Sequence, residues 1–303
     1  MSTALFWHRR DLRIEDNAGL YKALKNNSEV VPVFVFDHTI LTHLAKNDQR
    51  VLFIYQEIQR LKKAYQHGGG DLIVVFGDPR VEIVRLAQQF KVSRVYTNRD
   101  YEPSAISRDQ FLFDELQKSQ IEFIGAKDQV IFEKNEVVKD DGKPYTIYTP
   151  YSRKWKAKLT PYQFKAYPTT QYLNNLAKLA PQELLPLAQM GFENQNTQQF
   201  PPSDTPEKII THYHLQRDIP SVQGTSRLSL HLRFGTISIR QLALSAQQLN
   251  EKFLNELIWR DFYFMILYHN PRVVGNAYKP EYDAIQWESG SEAKRLFEAW
   301  CEG

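Results

Sequence analysis

Between residues 4 and 124 the chain alternates five short runs of β-branched and aromatic residues with four stretches whose apolar residues recur at helical spacing. That alternation restricts the fold more than any other feature, because strands separated by helices pair in parallel through right-handed crossovers. Ala4 to His8 reads as the first strand and Asn17 to Lys25 as a helix capped by Asp16. Val30 to Asp37, VVPVFVFD, is a nearly unbroken apolar run, as expected of a strand covered on both faces, with Pro32 near its start where a missing donor is tolerated. Val51, Ile54, Tyr55, Ile58, Leu61 and Tyr65 trace one long amphipathic helix. Strands at 71–76, 94–97 and 121–124 then alternate with helices at 81–90 and 104–120. Residues 1–130 are therefore expected to form a doubly wound α/β domain of Rossmann type.

The pattern breaks after Val130. Residues 131–205 carry scattered prolines, a basic cluster at Arg153, Lys154, Lys156 and Lys158, and a polar stretch from Glu193 to Gln199, which together read as a long linker over the surface. From Pro206 strand patterns vanish and the apolar spacing is helical, so residues 206–303 read as all-α. A total of 303 residues is about two ordinary domains. Hydrophobic residues at 42% and charged residues at 24% exclude a disordered or fibrous chain. The single cysteine, Cys301, rules out an internal disulfide and a cysteine zinc knuckle, and favours a reducing, cytoplasmic setting. No apolar stretch reaches membrane-spanning length, so no membrane partner is expected.

Generic motif scans give little. Gly68 to Gly70 follow a helix and precede a strand, the reverse of a dinucleotide-binding loop. His212 and His214 are two apart and point to different helix faces, so no metal site is expected. The informative window is 213–240, where Asp218 is the only acid against Arg217, Arg227, Arg233 and Arg240. Within it, Gly224, Thr225, Ser226 and Ser229 gather hydroxyls and backbone donors about a helix start, the chemistry of an anion seat. An ordinary capped helix with a solvated basic face has the same local composition, and both readings stand at this point.

Four segments carry a more specific signal: WHRRDLRIEDNAGL at 7–20, GKPYTIYTPYSRKW at 142–155, RDIPSVQGTSRLSLHLRFGTIS at 217–238, and FLNELIWRDFY at 253–263. Together and in this order they resemble the DNA photolyase/cryptochrome family, most closely its class I cyclobutane-dimer photolyases. The resemblance implies an α/β antenna domain, a linker, and a helical domain that holds FAD. Carried over by position, it makes Tyr213 and the run Thr225, Ser226, Arg227, Leu228 and Ser229 flavin contacts. It makes Glu256, Trp259 and Arg260 a wall between flavin and substrate, with Glu256 and Trp259 catalytic and Arg217, Glu256 and Trp259 facing DNA. Residues 256, 259 and 260 stand at i, i+3 and i+4, so a helix presents them on one face; a surface Glu–Arg pair beside a core Trp has the same spacing. Arg153, Lys154 and Lys156 are weaker candidates for phosphate contacts.

The implied activity is light-driven repair of pyrimidine dimers in DNA by reduced FAD, carried out by a cytoplasmic monomer. The Glu256 and Trp259 pairing resembles the cyclobutane-dimer enzymes, since animal cryptochromes and enzymes acting on 6-4 photoproducts carry an amide at the first position. A cryptochrome-like receptor without repair and an inactive fragment are the alternatives. Trp287 is matched to the outer member of a tryptophan electron-transfer chain, with core packing an equal reading for it and for Trp300. The Tyr101 to Ser104 loop and the strand ends are where a second, antenna chromophore has room to sit, with a folate, a deazaflavin and an empty site all open. Family members continue through a further helical segment after a Trp-x-x-Gly like that at 300–303, so the 303 residues alone are expected to hold FAD poorly.

Overall fold

The computed structural model describes residues 2–194 and 199–303; positions 195–198 of the polar stretch anticipated at 193–199 lie outside the described residues. The first 130 residues alternate as the pattern requires: β1 (Thr3–His8), α1 (Ala18–Asn26), β2 (Glu29–Asp37), α2 (His38–Leu41), α3 (Gln49–His67), β3 (Ile73–Gly77), α4 (Pro79–Gln89), β4 (Arg94–Asn98), α5 (Pro103–Lys118) and β5 (Glu122–Ala126). The strands form one parallel sheet in the order β3-β2-β1-β4-β5. Successive β1 side chains serve opposite faces: Ala4 and Phe6 join Leu20, Leu24, Ile58 and Leu61, while Leu5 and Trp7 join Ile83, Leu86, Leu112 and Leu116. Burial on both sides explains the unbroken apolar run of β2. Its Pro32 pairs with Phe6 of β1, and β3 joins only from Val33 onward, so the missing N–H falls outside that second ladder.

The chain then builds a second core. Helix α6 (Tyr148–Lys158) lies inside the expected linker, and its Tyr148, Tyr151, Ser152 and Trp155 recur at i, i+3, i+4 and i+7. Trp155 is wholly buried, so this part of the linker is packed and not superficial. There follow α7 (Glu207–Thr211), α8 (Tyr213–Gln216), α9 (Ser229–Phe234), α10 (Ile239–Leu249), α11 (Glu251–His269) and α12 (Gly290–Glu302), with no strand among the described residues after β5. Tyr151, Trp155, Ile239, Ala243, Leu254, Ile258 and Phe262 belong to this core, with α6 and α10 against α11.

A buried ionic cluster joins the two cores. Asp16 was expected to cap α1, but Asn17 does so, its side chain accepting from the Leu20 amide. Asp16 instead takes a left-handed φ of 48° and turns its carboxylate to the Arg240 guanidinium at 2.9 Å, the Tyr167 amide at 2.8 Å and the Ser238 hydroxyl. Arg240 also reaches Asp128 at 2.8 Å, and Arg13 pairs with Asp128 at 2.7 Å while donating to the Gly235 carbonyl at 2.9 Å. Gly235, with φ 63°, lies so close to the Arg10 backbone that a Cβ would stand 2.1 Å from the Arg10 carbonyl oxygen. Only glycine fits there.

Candidate functional site

Helix α11 carries the central residues. Asn250 caps it, accepting from the Phe253 amide at 3.2 Å, and its Phe253, Leu254, Leu257, Ile258 and Phe262 anchor it in the second core. That packing leaves Glu256 and Trp259 half-exposed on one flank. The Glu256 carboxylate meets the Arg217 guanidinium, and Arg217 in turn lies 5.5 Å over the Tyr213 ring. The Trp259 indole stacks on Tyr148 of α6, with centroids 3.7 Å apart and planes at 4°, and Tyr263 lies alongside at 5.6 Å. The Tyr148 hydroxyl donates to the Asn255 carbonyl at 2.9 Å. Burial first and the Glu256 carboxylate second push that phenol up to about 12.

The expected shared face is only partly realised. Arg260 points away from Glu256, donating to the Gln129 carbonyl and to the Leu232 carbonyl at 3.3 Å, with its guanidinium 4.7 Å over Phe264. Burial pulls it below the usual arginine range, and among the described residues it makes no ion pair. Its neighbour Asp261 is sealed from water and accepts from the Trp155 indole at 3.0 Å and from the Ile131 and Phe132 amides at 3.1 Å each. Burial pushes Asp261 up to about 6 in spite of these donors.

The 225–229 run approaches this flank through Gly224, where a Cβ would lie 2.5 Å from Cβ of Gln216, the residue before Arg217. Leu228 is buried, Arg227 has φ 55°, and Thr225, Arg227 and Ser229 are exposed. Among the described residues the side chains of Thr225, Ser226, Arg227 and Ser229 have no hydrogen bond or ion pair within the protein. Three unpartnered hydroxyls and a free guanidinium fit the phosphate end of a dinucleotide such as FAD.

A second cavity lies at the carboxyl ends of β1, β2 and β4, where the strand order reverses. It holds about 140 Å³ beneath Trp7, whose ring is covered by the guanidinium groups of Arg9 at 4.8 Å and Arg108 at 4.9 Å. Arg9 pairs with Asp109 at 2.6 Å and Arg10 with Glu102 at 2.6 Å, yet Arg9 Nε, Arg10 Nη1 and Arg108 Nε are buried without a hydrogen-bond partner. Burial and the neighbouring Arg9 pull Arg108 below the usual arginine range. These orphaned donors, beside Glu102 and Ser104 of the anticipated loop, suit a ligand with an anionic tail.

The remaining candidates are dispersed. Trp287 and Trp300 are 79% and 77% exposed, so neither packs a core. Lys154 and Lys156 pair with Asp140 and Glu251, whereas Arg153 is exposed and unpaired among the described residues. His212 bonds the Lys208 carbonyl and His214 lies 2.7 Å from the Asn250 amide, and no group among the described residues has the makings of a metal site. Tyr148, Asp261 and the Arg9 and Arg108 pair were not singled out from the sequence. The heptad spacing of α6 was the available signal for Tyr148.

Comparison with known proteins places these features in a family. Residues 4–171 match the model of DNA photolyase, and residues 253–303 match that of the FAD binding domain of DNA photolyase. A deoxyribodipyrimidine photo-lyase of Synechococcus sp. is 32% identical over 98% of this chain and 66% of its own length. The crystal structure of a class III photolyase from Agrobacterium tumefaciens superposes with a TM-score of 0.82 at 22% identity, covering 99% of this chain and 65% of that one. An archaeal photolyase from Sulfolobus tokodaii, solved with two FAD molecules, gives 0.72 at 28% identity, covering 98% and 66%. The chain thus spans about two thirds of the length of these relatives. Matched to that first model over more than half of its length, the chain belongs to the DNA photolyase family.

Proposed function

We propose that this protein takes part in the light-driven repair of cyclobutane pyrimidine dimers in DNA, as a cytoplasmic monomer that uses FAD. The observation that carries the reading is the gathering of Tyr213, Arg217, Glu256 and Trp259 from two segments of the chain, with Tyr148 of a third completing a stacked aromatic pair with Trp259. FAD, when bound, supplies an excited-state electron that is lent to the lesion while the cyclobutane bonds open and is then returned. Thr225, Ser226, Arg227 and Ser229 hold its phosphates, and Tyr213 and the buried Leu228 line the approach. Trp259 offers a flat apolar surface to a pyrimidine pair swung out of the helix, and such stacking contributes about 1–3 kcal/mol per base. Glu256 accepts the N3–H of a pyrimidine edge, and Arg217 shifts from that carboxylate toward a flanking phosphate as DNA arrives. The cavity under Trp7 takes the second, antenna chromophore, held by the orphaned nitrogens of Arg9, Arg10 and Arg108.

The test supplies the purified protein with excess chemically reduced FAD and an oligonucleotide bearing one cis-syn thymine dimer. Blue or near-ultraviolet light should restore the two thymines, and Glu256→Ala should slow restoration at least tenfold while flavin remains bound. Bound reduced flavin without any restoration would refute repair and favour a receptor role.

A further inference from the structure

We propose that Tyr148 is a positioning residue for base stacking: it clamps the Trp259 indole in one orientation and confines a stacked pyrimidine to the indole face that Tyr148 leaves free. The inference rests on the stacking role given to Trp259 above. Its own ground is the two-point attachment of Tyr148 to α11. The ring lies parallel to the indole at 3.7 Å, and the hydroxyl is tied to the Asn255 carbonyl, one turn before Trp259 on the same helix. A half-exposed tryptophan otherwise samples several rotamers, and ordering it on binding costs free energy that a prior clamp removes.

The clamp is itself rigidly held. Tyr148 opens α6, whose Tyr151 and Trp155 are buried against Phe262 and Asp261, and Phe262 meets both rings of the stack edge-on, at 5.9 Å from Tyr148 and 5.6 Å from Trp259. The phenol stays neutral through the physiological range, so its hydroxyl remains a donor to Asn255. With Tyr148 covering one face of the indole at van der Waals distance and Tyr263 near-parallel to it at 5.6 Å, a base meets Trp259 only on the surface these two rings leave open. That restriction separates an unstacked, flipped pyrimidine pair from a base still inside a duplex, since only the former can turn its ring onto that open surface.

The experiment uses the full chain, in the dark, with a duplex oligonucleotide carrying one cis-syn cyclobutane dimer in a thymine run and its undamaged counterpart. Fluorescence anisotropy gives both dissociation constants. Tyr148→Leu is expected to weaken binding of the dimer oligonucleotide about tenfold and to leave the undamaged one unchanged. Tyr148→Phe, which keeps the stack, should retain the preference within about twofold. An unchanged ratio of the two constants in Tyr148→Leu, whether both hold or both weaken together, would overturn the proposal. Tyr148→Met guards against a folding defect peculiar to leucine, and failure of both to fold would show that Tyr148 serves packing alone, which also overturns it. Trp259→Ala separates the two levels. If it keeps the dimer preference, the stacking role itself falls; if it loses the preference while the Leu and Met variants do not, only the clamp falls.

Discussion

Asp261 is a carboxylate without water, accepting three N–H groups through one oxygen while the other has no partner. The folded chain therefore holds its proton more tightly than the unfolded chain, and ionisation between about pH 4 and about pH 6 weakens folding, completely so above that range. Asp261→Asn does not ionise, so relative to the natural chain it should gain up to about 3 kcal/mol over that interval. Urea midpoints at a series of pH values measure it, and parallel curves for the two proteins would contradict it. The five tryptophans supply a second reading at this scale. Trp7 and Trp155 are 2% and 0% exposed, against 79% and 77% for Trp287 and Trp300. Iodide should quench only part of the emission, and the Trp287→Phe, Trp300→Phe double variant should lose most of the quenchable part. Individual partners were the least legible feature of the sequence. The Glu256 and Arg217 pairing spans 39 positions, and Asp16 and Asn17 are equally good caps until Arg240, 224 positions on, engages one of them.

Elements were far more legible, because their signal is periodic and local. All five strands and the four helices between them fall within about two residues of their expected bounds. Helix α6 escaped because lysines and the Thr149–Pro150 pair dominate its composition and hide a regular buried stripe. Its importance shows in Trp155, and Trp155→Ala should cost about 3–5 kcal/mol, seen as a lowered thermal midpoint. Helix α12 is the contrary case. Leu296, Phe297 and Trp300 lie on it exposed, so Phe297→Ser should change stability by less than about 0.5 kcal/mol and reduce self-association measured by light scattering.

Between the two cores, stability depends on paired charges that water does not reach. Burial opposes ionisation of Asp128, and the Arg13 and Arg240 guanidiniums outweigh it, holding the carboxyl below its usual range. Its contribution is present above the ordinary carboxylate range and is lost as pH falls through the lowered value. Asp16→Ala leaves Arg240 with one carboxylate of two and should cost about 3–5 kcal/mol, splitting one unfolding transition into two in calorimetry. Flavin retention also belongs to this scale. The 225–229 donors face water beside the exposed Leu215, Ile219 and Val222, and Arg260 is committed elsewhere, so the flavin seat proposed above is open to solvent. Gel filtration of the purified chain should strip the flavin to well below one per protein, and a stoichiometric 450 nm absorbance after the column would contradict this.

The joint at Asp16 also sets a schedule for synthesis. Arg240 follows Asp16 by 224 positions, and at the pace of a ribosome that separation is about 10–45 s. For the second half of that interval, once residue 128 has been made, every strand of the α/β layer is present, yet it carries two acids, Asp16 and Asp128, with a single arginine, Arg13, between them. The nascent chain thus waits with a net negative notch at residues 16 and 128 until Arg240 arrives to close it.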